Sequence, residues 1–383
     1  MPRVLKVAAV QMDANPAPNA ERLLRADRLV SQATKAGAQL VVLPEIFNTG
    51  YAYTPDNYRR AEKLDGPTAG WMKEIARRLN IHLAGSLMLL DHEDVYNALL
   101  LVAPDGRTWR YDKNYPWGWE RGYFRDSNRT AIAHTDLGDF GMLICWDIAH
   151  PNLWRQYAGQ VDMLLACSCP PNFSMATFTF PDGGRVTPDD MGPVMAGLRS
   201  APQRVFVDMF RQQAAWLGVP AVNTSASGAI TTDIPNGLGS FLFYLPAAPA
   251  LAPYFSQADR MRATCELVGA CQVVGSEGQV LARLTQAQGE TFTMAEVTLA
   301  DEKPRPRSPQ PIPSFPLLYL IGDIALPLLV IPVYRQGLRQ ARGERMAPID
   351  HSTGRWLPLA GLGAAALLGL GVMVGRRLGR RGR

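Results

Sequence analysis

Over the first 300 residues, short apolar runs alternate with stretches of helical periodicity. Residues 4–11 read as a strand, and residues 19–36 as a helix with Leu23, Ala26 and Val30 on one face, closed by Gly37. Residues 40–43 form the next strand, 68–79 a helix, and 82–89 and 98–103 two strands. The turn Pro104-Asp105-Gly106 predicts a hairpin between 99–102 and 108–111, and 131–135 pairs with 141–144. A helix near 153–158, a strand at 163–166, a helix near 205–217 and strands at 219–223 and 271–274 continue the series. Such alternation is the pattern of an α/β fold. Between them, residues 170–202 read as one long irregular stretch rich in Pro and Gly, longer than a connector needs.

The pattern changes after residue 300. Residues 301–314 read as a Pro-rich linker, 315–335 as an apolar membrane or interfacial segment and 336–355 as a basic loop. Residues 356–375 are twenty positions without a charge, long enough to cross a bilayer as a helix, and 376–383 form an Arg-rich tail. Trp356 at the entry and arginines at the exit suit the two interfaces. Pro327 and Pro332 allow a kinked first segment, in which Asp323 must face protein or water. These features predict a membrane-attached protein whose main domain, residues 1–300, faces the cytoplasm.

Charge follows the same division. The net charge of +5 hides 13 basic and 5 acidic residues from Asp301 onward, against 26 and 29 before it. The basicity belongs to the tail, and neither a basic aromatic patch nor a zinc-finger spacing points to nucleic acid. The five cysteines, an odd number, and an N-terminus without a signal-like apolar region suit a reducing compartment. Cys167 and Cys169 read as core residues at a strand end, since no Cys or His cluster accompanies them, so no metal is expected.

Three apolar runs end in reactive groups. Val41-Val42-Leu43-Pro44 delivers Glu45, Trp109-Arg110-Tyr111-Asp112 delivers Lys113, and Phe140-Gly141-Met142-Leu143-Ile144 delivers Cys145. A thiol is mostly protonated at neutral pH and needs activation. Glu45 is a candidate to take its proton and return it to a departing amine. Lys113, with the Trp146 backbone N–H, is a candidate to hold the anion that develops when the thiolate attacks, on oxygen for a carbonyl and on nitrogen for a nitrile. Loss of the amine from an amide then leaves a thioester, which water cleaves. Taken singly, each of these residues has an ordinary structural reading; their joint placement at strand ends favours catalysis. Asp147 reads as a structural hydrogen-bonding residue. His150 lies close to Cys145 in sequence, but no third member of a Cys-His protease site is evident.

The chain resembles the nitrilase (carbon–nitrogen hydrolase) superfamily over about residues 4–300. Four blocks in order carry the resemblance: Lys6-Val-Ala-Ala-Val-Gln11; Gly37 through Glu45 with Thr49-Gly50-Tyr51; Lys113-Asn-Tyr-Pro-Trp-Gly-Trp-Glu120-Arg121; and Gly141-Met-Leu-Ile-Cys145-Trp-Asp147 with Pro151. The resemblance implies a four-layer αββα sandwich, a Glu45-Lys113-Cys145 triad supported by Glu120, no metal or organic cofactor, and assembly into homo-oligomers. Tyr51, Trp117, Trp119, Pro170 and Asn172 are candidate pocket residues, with Tyr123 and Phe124 divided between pocket and core; residues 170–202 are a candidate lid. Residues 210–216 match the family only in part, and 241–253 read as an apolar insertion. The expected reaction is hydrolysis of a small non-peptide amide or nitrile, with an N-acyltransferase and an idle membrane-tethered scaffold as the alternatives. The tail and the apolar insertion add the expectation of a lipid-like substrate.

Overall fold

The computed structural model describes residues 3–312 and 315–343. Two six-stranded sheets form its centre. The first runs in the order Thr291–Leu299, Arg3–Gln11, Leu40–Val42, His82–Asp91, Asp94–Val102, Thr108–Asp112. The second runs Val280–Arg283, Gln272–Val274, Ala221–Ser225, Met163–Ser168, Asp139–Ile144, Ile132–His134. Each has three parallel strands at its heart and antiparallel strands outside them.

Strand alternation explains the layering. Along Arg3–Gln11, Val7 and Ala9 pack with Met142, Leu164 and Val222 of the other sheet. Ala8 and Val10 point the opposite way, onto Leu29, Val30, Met72 and Ile75 of the helices Asn19–Lys35 and Pro67–Leu79. The helices Pro151–Tyr157 and Phe210–Leu217 cover the second sheet, with the Trp154 and Phe210 rings 5.8 Å apart. The result is an αββα sandwich, with the predicted hairpin seen as Val102 opposite Thr108 and the predicted pair as Ile132 opposite Gly141.

Three stretches depart from the sequence expectation. Residues 170–202 are not simply irregular: Thr177–Thr179 and Arg185–Val186 join Arg262–Glu266 and Ala229–Asp233 in a third, four-stranded sheet. Strands of two and three residues are too short to show a period, and it is burial of Phe178 and Val186 beside Ile230 and Ala263 that fixes them. The apolar insertion forms the helix Gly237–Tyr244 followed by 3-10 turns over Pro249–Arg260. The Pro-rich stretch after 300 is tied down rather than free, through Arg307 N–H to the Trp216 carbonyl (2.8 Å) and Gln213 to the Pro311 carbonyl (2.7 Å).

The apolar tail segment is a helix over Pro316–Ala341 that lies against the sandwich. Pro327 lacks the N–H that would bond to the Asp323 carbonyl, and the helix widens into a π-turn over Leu320–Ala325. Two glycines let it sit close. A Cβ at Gly322 would lie 2.4 Å from Trp117 Nε1, and one at Gly337 would lie 2.0 Å from the Tyr58 ring. Tyr334 donates to Asp94 (2.7 Å) and accepts from the Val95 N–H (3.1 Å), and Asn236 donates to the Leu329 carbonyl (2.8 Å). The uncharged stretch 356–375 and the Arg-rich tail lie outside the described residues.

Candidate active site

The strand ends named by the sequence converge at one end of the sandwich. Glu45 follows Leu40–Val42, Lys113 follows Thr108–Asp112, Cys145 follows Asp139–Ile144, and Glu120 sits in the 3-10 turn Gly118–Gly122. Lys113 Nζ is 2.8 Å from Glu45 Oε1 and 2.6 Å from Glu120 Oε2. All three charged side chains are at most 2% exposed. Buried charges persist only when paired and hydrogen-bonded, and here they are. Glu45 Oε1 also accepts from Asn97 Nδ2 (2.7 Å), and Glu120 accepts from the Trp117 N–H (2.7 Å) and the Tyr51 hydroxyl.

The free oxygen of Glu45 is the informative one. Oε2 is buried without a hydrogen bond, while the Cys145 thiol makes a weak contact to the same carboxylate. Burial raises the Glu45 pKa, and the charge of Lys113 only partly offsets this. Burial, and then the charge of Glu45, pushes the Cys145 thiol well up, so the resting thiol is protonated. Lys113 pays a desolvation penalty, but Glu120 and Glu45 outweigh it and hold the ammonium well above its usual range. A basic carboxylate, a neutral thiol and a permanent cation therefore meet in one dry site.

Cys145 adopts φ 49°, a backbone conformation that costs a non-glycine residue about 1–3 kcal/mol. Asp147 supports that turn. Its carboxylate accepts from the Ile144 N–H (3.1 Å), the Tyr115 N–H (2.8 Å) and the Tyr111 hydroxyl (2.8 Å), joining the Cys145 turn to the Lys113 segment. Burial lifts its pKa to about 6. His150 stacks on Tyr115 with centroids 3.5 Å apart, and burial drops its pKa to about 3. Its Nε2 makes no hydrogen bond and lies 3.6 Å from Asp323, so it is a neutral ring packed among aromatics. Asp323 instead accepts from Trp146 Nε1 at 2.7 Å, so the tail helix touches the residue after Cys145.

A pocket opens above Cys145. Tyr51, Trp117, Trp146 and Pro170 line it, with Glu120 at its base. Trp119 does not line it: the ring is fully buried behind Phe173 (4.8 Å) and donates to Ser240 (3.0 Å). Asn172 is also displaced from the expected position, because its side chain bonds to Ser174 and the Arg199 carbonyl within the 170–202 stretch. Tyr123 and Phe124 are core residues. Sequence reasoning missed Tyr53, Phe173, Met195, Leu198, Phe206, Tyr244, Leu318 and Ile321 as wall residues, and Asn97 as the support of Glu45. Asn97 was detectable as a lone amide in the run Val95-Tyr-Asn-Ala-Leu-Leu-Leu-Val102; the wall residues carry no such mark.

The pattern of the carbon–nitrogen hydrolase family matches residues 6–307. A nitrilase from Pyrococcus abyssi is 31% identical over 160 residues, covering 40% of this chain and 61% of that protein. An omega-amidase, NIT2-A of Xenopus laevis, is 29% identical over 185 residues, covering 45% and 65%. The chain thus spans somewhat less than two thirds of the length of these curated relatives. Among solved structures, a CN-hydrolase superfamily protein of Xanthomonas campestris superposes with a TM-score of 0.56 at 19% identity, covering 78% of this chain and 91% of that one. An amidase from Nesterenkonia gives 0.54 at 18%, covering 78% and 91%. At such identities these two speak for the fold.

Proposed function

Because the chain belongs to the carbon–nitrogen hydrolase family, we propose that it cleaves a non-peptide amide or nitrile through a thioester on Cys145. The observation that carries this reading is the buried, ion-paired cluster of Glu45, Lys113 and Glu120 in the pocket that Cys145 lines. Glu45 takes the thiol proton as Sγ bonds to the substrate carbon, and the carbonyl π electrons move to oxygen. Lys113 and the Trp146 backbone N–H hold that oxyanion. As the carbonyl re-forms, the C–N bond breaks and Glu45 gives the proton to the leaving nitrogen, releasing ammonia from a primary amide. Water then attacks the thioester, Glu45 accepts its proton, and the acid leaves as Sγ is reprotonated. Glu120 fixes Lys113 through a second carboxylate contact at 2.6 Å.

Membrane attachment is part of the same proposal. The outward face of the tail helix is apolar, with Ile324 53% and Leu328 47% exposed, and exposed Arg335 and Arg339 follow it. A helix covered by protein on one face and apolar on the other suits a seat in the bilayer interface beside the uncharged stretch 356–375.

Ammonia release from a panel of amides and nitriles, with Cys145→Ala as control and hydroxylamine as an added acceptor, tests the activity. Cys145-dependent ammonia release in water alone supports the hydrolase. Release only in the presence of an amine acceptor replaces it with an acyltransferase, and reagent-inert Cys145 with no release replaces it with a scaffold.

A further inference from the structure

We propose that the helix Pro316–Ala341 is a specificity wall of the active site, and that the enzyme takes amides whose acyl group is an uncharged apolar chain or ring. The proposal rests on the hydrolase reading for the reaction, and on the pocket alone for the substrate class.

Leu318 and Ile321 project from the helix into the pocket above Cys145. The facing walls come from Phe173 and Leu198 of the 170–202 stretch and from Tyr244 of the inserted helix. Three segments beyond the triad blocks thus converge on one space, and nearly every side chain they contribute is apolar. Their seating is close: Gly322 leaves no room for a Cβ against Trp117, and Asp323 bonds to Trp146 directly after the nucleophile. The wall and the reacting atom are therefore held in one frame.

Charge narrows the class further. No Lys, Arg or His is among the described residues that line the pocket. Its single ionisable carboxylate, Glu120, is already engaged by Lys113, Tyr51 and the Trp117 N–H. An acyl group bearing a second carboxylate would enter an apolar space with no cation free to meet it. An alkyl or aryl group instead gains about fourfold in affinity per buried methylene.

The test uses the full chain and straight-chain aldehydes of two to ten carbons, which add Sγ of Cys145 reversibly to the carbonyl carbon, beside amides of the same chain lengths. Wild-type affinity for aldehydes is expected to climb with chain length, about fourfold per methylene, to an optimum. Succinic semialdehyde, which carries a charged end, is expected to bind at least tenfold more weakly than butanal. Ile321→Trp shifts the optimum to shorter chains and Ile321→Ala to longer ones; opposite shifts are not produced by misfolding, and the alanine variant alone suffices if the tryptophan variant does not fold. A flat chain-length series, an optimum unmoved by the variants, or tight binding of the charged aldehyde overturns the proposal. A chain-length optimum without ammonia release from any amide would leave the pocket assignment standing and remove the hydrolase reading. Amide hydrolysis with a flat series would do the reverse.

Discussion

The floor and the walls of the pocket are built on opposite principles. The floor is a buried polar cluster, in which Glu45, Lys113, Glu120 and Asn97 exchange hydrogen bonds and, of the carboxylate oxygens, only Oε2 of Glu45 is left without one. The walls are apolar and come from segments added around the sandwich: the 170–202 stretch, the inserted helix and the tail helix. Glu45, Lys113 and Cys145 follow closely on strands of the two sheets, whereas the walls are held by apolar packing and a few hydrogen bonds, such as Trp146 to Asp323 and Tyr334 to Asp94. On the proposed function, the difference assigns reaction type and substrate choice to separate parts of this chain.

Breaking the floor should cost most. Lys113→Met leaves two buried carboxylates without their cation, and is expected to abolish ammonia release and to destabilise the fold by about 3–5 kcal/mol in denaturant titration. Retained turnover would show that the cation is dispensable. Asn97→Ala removes one donor to Glu45. Its kcat should fall about 10–100-fold, the worth of a hydrogen bond to a charged group. Losing that donor disfavours the carboxylate form, so the acidic limb of the pH–rate profile should move to higher pH.

The wall should respond more gently. Gly322→Val sets a side chain against Trp117 and is expected to cost about 1–3 kcal/mol, with the chain-length preference lost before the reaction itself. The neutral ring of His150 gives the smaller, pH-dependent effect. Its pKa is lowered to about 3 in the fold, whereas the unfolded chain takes a proton below about 6.5. Its contribution is present above that value and declines as the pH falls toward 3, reaching a loss of about 2 kcal/mol at pH 5. His150→Gln should flatten the fall between pH 6.5 and 5 in thermal melts. Least affected should be turnover of short soluble amides in Ile324→Glu/Leu328→Glu, where the loss appears instead in sedimentation of the full chain with anionic vesicles. Unchanged sedimentation would remove this helix from the proposed membrane attachment.

The same contrast governs what the sequence made legible. Glu45, Lys113 and Cys145 each follow closely on a strand, so a run ending in a reactive group marks them in one dimension, even where the strand, as in Leu40–Val42, has only three residues. The third sheet carries no such mark, because Thr177–Thr179 pairs with residues up to 87 positions away and Arg185–Val186 pairs only with that strand. Trp119 and Phe173 exchange roles for the same reason: both are aromatic, and only tertiary packing decides which faces the pocket. Leu318 and Ile321 lie in a run whose composition suits a membrane segment, and their inward turn depends on the close approach at Gly322. Polar residues out of place in apolar surroundings are legible; apolar residues among their own kind are not.

The most direct test of the account is intact-protein mass spectrometry of acid-quenched enzyme during turnover of a straight-chain alkyl amide. The account predicts a mass increase equal to the amide less ammonia, carried on Cys145, absent in Cys145→Ala and formed far more slowly in Glu45→Gln. Ammonia release that persists in Cys145→Ala, or an adduct that forms at the wild-type rate in Glu45→Gln, would contradict it.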